Sequence, residues 1–249
     1  MTEHDDRYAV PSAAALPADA PMFNRAAWIR ILPFAAYLAF IVIGDVLERI
    51  GMSQDALVWL YPAKIAVVGG LLALFWRNYE ELREGLRFSS SPFRLTPAAI
   101  LAAIAVGVVV LVLWIQLSSG WMVVGSPAGY DPRTDGSIDW LLVTIRIAGA
   151  ALVVPVMEEL FWRSFLMRWI AAPDFQAVAP SRAGLKSFVI TVVLFGFEHN
   201  LWLAGIVAGV AYSLLYMRYC NLWSPILAHA VTNGLLGLWV VRTGSWSFW

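Results

Sequence analysis

The chain has 249 residues, 60% of them hydrophobic and 14% charged, with a mean hydropathy of +0.71. Soluble domains are nearer half apolar and a quarter charged, so this balance excludes an ordinary soluble fold and points to the membrane. Seventeen basic and seventeen acidic residues cancel, which removes the basic surplus that nucleic-acid binding needs, and the single cysteine, Cys220, allows no internal disulfide.

In chain order, residues 1–25 begin with Glu3, Asp5 and Asp6 and continue into an Ala/Pro-rich stretch. They lack the basic-then-apolar order of a secretory signal and are expected to form a disordered cytoplasmic tail. Residues 26–138 hold three apolar stretches near the ~20 residues a membrane span requires, at 31–48, 56–76 and 97–117. Between the second and third, the loop 77–95 carries mixed charges at helical spacing, which predicts an amphipathic segment lying on the cytoplasmic surface. The loop 118–137 is polar and rich in Gly and Pro, and is expected on the opposite side.

Four further stretches follow within 139–242, at 139–157, 187–199, 201–217 and 223–241. The expectation is therefore an all-α, polytopic transmembrane bundle of about seven helices. An eighth appears if the segment 139–172 breaks at Pro155. Arg25, Arg30, Arg77, Arg83, Arg87, Arg94, Arg168, Arg182, Lys186 and Arg218 fall on one set of loops. That asymmetry predicts a cytoplasmic N-terminus. Lys64 and Arg146 read as snorkelling or interhelical pairing near the opposite face. The lipid bilayer is thus the first expected partner, and nucleic acid is not one.

Ionisable groups inside a span cost roughly 2.5–3.5 kcal/mol each and are functional candidates by default. Here they cluster in 155-PVMEELFWRSF-165, 195-FGFEHN-200 and 226-ILAHAVTN-233. Glu159 and Arg163 are four apart and share a helical face, where they can pair. Glu158 lies about 100° round the same helix, free to face a cavity. His229 and Asn233 also share a face, and Phe195 lies one turn before His199. Counted from the nearest basic residue at about 1.5 Å per residue, Glu158 lies about 15 Å deep, His199 about 20 Å, and His229 and Asn233 at most about 16 and 22 Å. Similar depth is what a shared site requires. Glu198 is ambiguous, either tuning His199 or facing another helix.

These three segments resemble the EExxxR, FxxxH and HxxxN signatures of the CAAX-protease and bacteriocin-processing intramembrane proteases, the family of the Ras-converting CAAX endoproteases. The resemblance covers about 139–241 and marks 139–242 as a CAAX-protease-like catalytic core. It implies an intramembrane endopeptidase acting on membrane-associated peptides or proteins. Glu158 would be the general base that activates water, with His199 beside it. His229 and Asn233 would steady the oxyanion, and Glu159 and Arg163 would support them. No cofactor is expected to be required. Glu158, His199 and His229 are the candidate ligands if Zn²⁺ takes part, although no HExxH helix is present. The expected location is the bacterial inner (cytoplasmic) membrane. Two other classes stay open: a proton-coupled transporter using Glu158, His199 and His229 as a relay, and a non-proteolytic scaffold or bacteriocin-immunity protein of the same fold.

Overall fold

The computed structural model describes residues 22–85, 94–125, 129–134 and 136–249, so most of the expected tail and the middle of the loop 77–95 lie outside the described residues. Among the described residues, eight helices make up the bundle, besides the single turn Gln54–Leu57. Helix α1 (Arg25–Arg49) starts where the side chain of Asn24 accepts the Ala27 amide at 2.9 Å, satisfying one of the unpaired donors of a helix N-terminus. Helix α2 (Leu60–Phe75) runs back beside it and tightens into a 3₁₀ turn at Trp76–Asn78. The short α3 (Glu80–Gly85) follows. Helix α4 (Pro97–Gln116) opens with a Thr96 cap and a proline in its first turn, where a missing N–H costs nothing.

Helix α5 is a continuous helical run, Trp140–Ala171, of 32 residues. The break at Pro155 that would have added a helix does not occur. Instead the run widens into π-helix at Gly149–Val153, just before the proline, and again at Leu160–Leu166. Helices α6 (Gly184–Phe197), α7 (Trp202–Tyr219) and α8 (Trp223–Thr243) complete the bundle. Between α4 and α5 a small antiparallel ladder pairs Arg133 with Ile138 and Thr134 with Ser137.

The protein is an integral membrane protein, and its surface shows why. Ile41, Val42, Leu101, Val109, Leu152, Leu214 and Leu238 are exposed, an arrangement that water penalises and lipid accepts. By length and composition, five helical runs suffice to cross a membrane: α1, α2 with its 3₁₀ turn, α4, α5 and α8. The helices number about the seven to eight expected; α7 and α6, whose 14 residues rise about 21 Å against about 30 Å of hydrocarbon, are not among those five.

Small residues let the site-bearing helices approach closely. A Cβ built on Gly205 would stand 3.0 Å from the Gly196 Cα, and one on Gly107 only 2.5 Å from the Ala228 carbonyl oxygen. The first contact closes α6 on α7, and the second seats α8 against α4 beside His229.

The described part of the loop 77–95 exposes Arg77, Asn78, Glu80 and Arg94 and buries Tyr79, Glu81, Leu82 and Gly85. Helix α3 turns Glu81 inward, where the carboxylate accepts hydrogen bonds from Ser164 Oγ (2.9 Å), Tyr216 Oη (2.9 Å) and Arg168 Nη1 (2.5 Å). Arg30 Nη2 lies 3.8 Å away and its Nε donates to Ser164 at 3.0 Å. Arg30 and Arg168 are therefore buried helix residues, 1% and 4% exposed, and not the loop charges their spacing suggested. They share Glu81 Oε1, and Arg168 also donates to the Val178 and Gln176 carbonyls. Trp223 Nε1 donates to the Leu82 carbonyl at 2.8 Å, so α1, α5, α7 and α8 are all tied to α3.

Removing one member of such a buried cluster strands the others, at a cost of about 3–5 kcal/mol. Glu81→Ala is expected to lower thermal stability in detergent by that order, measured by unfolding of the purified protein. Burial opposes the charge on Glu81, but Arg168, Arg30, Tyr216 and Ser164 outweigh it and hold the carboxyl below its ordinary value of 4.5. The stabilisation is therefore complete above the unfolded value and is lost as pH falls through the lower folded one. Wild type should lose stability in that acid window, and Glu81→Ala should show less of the loss.

Candidate active site

The two adjacent glutamates sit between the two π-helical stretches of α5, on Val154–Glu159, and their directions differ as the 100° step requires. Glu159 is fully buried. Its Oε1 accepts from Arg163 Nη1 at 3.1 Å and from His229 Nδ1 at 3.0 Å. Arg163, also fully buried, reaches α7 through Ser213 Oγ (3.4 Å) and the Gly209 carbonyl (3.3 Å), with its guanidinium 4.2 Å from the Phe195 ring centre. The pair expected from the i,i+4 spacing is present, and its carboxylate also holds a histidine that spacing did not connect to it.

Glu158 is 4% exposed and its Oε2 is buried with no hydrogen-bond partner. It lines a cavity of about 190 Å³ shared with His199, His229 and Asn233, room for several waters. His199 lies just past the end of α6, and its Nδ1 is 2.8 Å from the Phe195 carbonyl oxygen. A carbonyl can only accept, so Nδ1 carries the proton and Nε2 keeps its lone pair. The Phe195 ring lies 4.9 Å from the imidazole and Trp114 meets it edge-on at 5.2 Å. The aromatic wall expected from Phe195 is there.

His229 and Asn233 both face α5. His229 stacks on Tyr212, with ring centres 5.0 Å apart. Asn233 Nδ2 donates to the Ala150 carbonyl at 2.9 Å, and the reason lies in the backbone. In π-helical pairing the donor for Ala150 would be five residues on. That residue is Pro155, which has no N–H. The side chain of Asn233 supplies the missing donor, and its second amide N–H is left over.

Glu198 does not touch His199; its Oε2 accepts from Trp162 Nε1 on α5 at 3.0 Å. Among the described residues no three His, Cys, Asp or Glu side chains are grouped to hold a metal ion. Glu158, His199 and His229 share the cavity, and each imidazole engages its Nδ1 elsewhere, which leaves Nε2 as the nitrogen open to a ligand.

Sequence reasoning missed Tyr212, Trp114 and Arg146 as cavity-lining residues. A tyrosine or tryptophan in an apolar helix carries no spacing signal that distinguishes a cavity wall from packing. Arg146 did carry one, as a charge within an apolar run, and was assigned to snorkelling.

With this geometry in view, residues 140–235 match the family model of the Rce1-like type II CAAX prenyl endopeptidases. This stretch is Rce1-like. The match spans every residue of the EExxxR, FxxxH and HxxxN segments. No curated protein and no solved structure matches the chain. The Rce1-like region begins with α5 and ends within α8, so it contains both helices that Glu159 joins and the α6–α7 hairpin that Arg163 braces.

Because Arg163 and His229 share one carboxylate oxygen, Glu159→Gln removes the charge that compensates a fully buried cation. The expected result is a stability loss of about 3–5 kcal/mol, read by thermal unfolding in detergent. Asn233→Ala leaves the Ala150 carbonyl without its donor and is expected to cost less, about 1–3 kcal/mol. A similar loss for the two variants would show that Glu159 is not the electrostatic centre of the site.

Proposed function

We propose that the protein is an intramembrane endopeptidase that hydrolyses peptide bonds of membrane-associated peptides or proteins with water activated by Glu158. The observation that carries this reading is the buried, unpartnered Glu158 Oε2 in a cavity that also receives His199, His229 and Asn233. An acid held without a partner is costly, and its neighbour Glu159 already performs the structural pairing. The Rce1-like match supports the reaction class at family level.

In the proposed reaction the Glu158 carboxylate takes a proton from a water also held by the Nε2 lone pair of His199, and the water oxygen attacks the scissile carbonyl carbon. The carbonyl π electrons move to oxygen, forming a tetrahedral oxyanion. The free amide N–H of Asn233 donates to it. His229, its Nδ1 held by Glu159, steadies the same oxyanion from the cavity wall. One such donor in a dry site is worth roughly 2.7–4 kcal/mol. Collapse returns the electron pair to the carbonyl and breaks the C–N bond. Glu158 delivers its proton to the departing amine. Every step uses a side chain of this chain.

The same reading proposes a bacterial inner membrane with a cytoplasmic N-terminus, from the distribution of loop arginines. Glu158→Gln is expected to reduce cleavage of a membrane-anchored reporter by about 10²–10⁴-fold while the protein stays folded and inserted. Asn233→Ala should cost about 10²–10³-fold in kcat. Undiminished cleavage by Glu158→Gln removes the proposed base. Comparative proteomics of membrane peptides from cells carrying wild type or Glu158→Gln would also identify substrates.

A further inference from the structure

The wall of the Glu158 cavity is not made of long helices alone. Phe248 and Trp249 line it, and Trp249 also lines a second, larger cavity of about 960 Å³. This outer vestibule is walled by α1, α2 and the segment before α5, through Gly44, Lys64, Tyr130 and Leu142. Tyr61, Arg146 and Trp249 are common to both cavities. Tyr61 is buried on α2, and its Oη donates to the Arg146 backbone carbonyl on α5 at 3.2 Å. Two of the three therefore sit on packed helices bonded to each other. Trp249 instead follows a single 3₁₀ turn, Trp246–Phe248.

Fifteen further residues of helix would carry Phe248 about 22 Å past Asn233, yet both line the inner cavity. The chain reverses at Gly244, whose left-handed conformation (φ +69°) ends α8. Residues 244–249 then run back as a strap, with the Phe248 ring edge-on to Trp239 at 5.1 Å. The seat of the strap is the loop before the small ladder. There the Trp246 carbonyl accepts the Tyr130 amide at 3.4 Å, and the Trp249 ring centre lies 6.4 Å from that of Tyr130. Gly129 makes this seat possible. Its φ is +73°, and a Cβ on it would stand 2.6 Å from the Trp246 carbonyl oxygen and 3.0 Å from the Ser247 Cα.

The strap is closely seated but lightly fastened. Residues 244–249 are all exposed or half-buried, and the Tyr130 hydrogen bond is longer than the usual range of about 2.7–3.2 Å. Segments with few buried contacts open locally at a small part of the global unfolding cost. Tryptophan at the end of a membrane bundle ordinarily anchors in the headgroup region. Here Trp249, with Phe248, lines the inner cavity instead.

We propose that residues 244–249 are a lid. With Trp246 seated on Gly129 and Tyr130, Phe248 and Trp249 close the Glu158 cavity against the vestibule, and lifting the strap joins the two. Trp249 is the moving part, since Tyr61 and Arg146 are held by their helices. The lid goes beyond the endopeptidase reading, because it controls what reaches the cavity and not what happens there. In that reading, opening is the step that admits peptide.

The test uses the full chain in lipid nanodiscs with Cys220→Ser, which removes the native thiol, and one reporter substitution at a time. Leu236→Cys reports on the inner cavity, which Leu236 lines. Val240→Cys reports on a buried position of the same helix outside both cavities, and Arg242→Cys on an exposed one. Labelling by a water-soluble methanethiosulfonate is followed by intact mass. With the strap intact, Leu236→Cys is expected to label at least about tenfold more slowly than Arg242→Cys. Phe248→Ala combined with Trp249→Ala, or Gly129→Ala alone, should speed it about tenfold and leave Val240→Cys unchanged. An aromatic membrane anchor would change unfolding temperature in these variants without changing the labelling rate.

Labelling of Leu236→Cys as fast as Arg242→Cys with the strap intact overturns the closure, even if no strap variant folds. Slow labelling that persists in both strap variants overturns the lid. So does equal acceleration at Val240→Cys, which marks general loosening. The labelling is read without turnover, so the endopeptidase reading fails separately: accelerated labelling together with undiminished cleavage by Glu158→Gln would keep the lid and remove the hydrolytic base.

Discussion

One carboxylate oxygen at the centre of the bundle organises the rest. Glu159 Oε1 receives both Arg163 and His229, so a single acid ties α5 to α8 and, through Arg163, to α7. None of the three would be stable alone at that depth, because an unpaired charge or donor in a dry interior costs several kcal/mol (about 1–3 for a neutral group, more for an ion). Together they convert three liabilities into a fixed frame. The frame also frees its neighbour. With Glu159 committed, Glu158 is turned by the helical step into the cavity and has nothing to pair with.

The π-helical stretches on either side of the glutamates belong to the same logic. A proline in a long helix removes one N–H and crowds the preceding turn. Here the backbone widens before Pro155 instead of kinking, and the carbonyl of Ala150 that this exposes is answered from α8 by Asn233. The defect in one helix becomes the docking point for a residue of another. It sets the orientation of the carboxamide while leaving one N–H uncommitted.

Charge is distributed in three layers along the bundle. At the end formed by α3, Glu81 meets Arg30 on α1, Arg168 on α5 and Tyr216 on α7. In the middle lies the Glu159 frame with its cavity. Toward the other end Arg146 and Lys64 rest on tyrosine rings, with no acid partner among the described residues. Arg146 borders both cavities.

Much of this was readable from residue order. Apolar runs gave the all-helical membrane class, and i,i+4 spacing paired Glu159 with Arg163 and put His229 and Asn233 on one face. The three polar segments were enough for a family resemblance that the match over 140–235 bears out. These features are local, since helical periodicity fixes which side chains share a face within a single element.

What periodicity does not contain is which face meets which helix. Only the tertiary structure joined His229 to Glu159, Glu198 to Trp162 and Asn233 to Ala150, because each contact crosses between helices tens of residues apart. The same limit misplaced Arg30 and Arg168 as loop charges. A buried arginine and a surface one look alike in sequence, and the difference is the Glu81 carboxylate brought to them from a separate helix. Composition and spacing determined the class of molecule and the residues able to do chemistry. Packing decided which of those residues are occupied by one another and which are left facing a cavity.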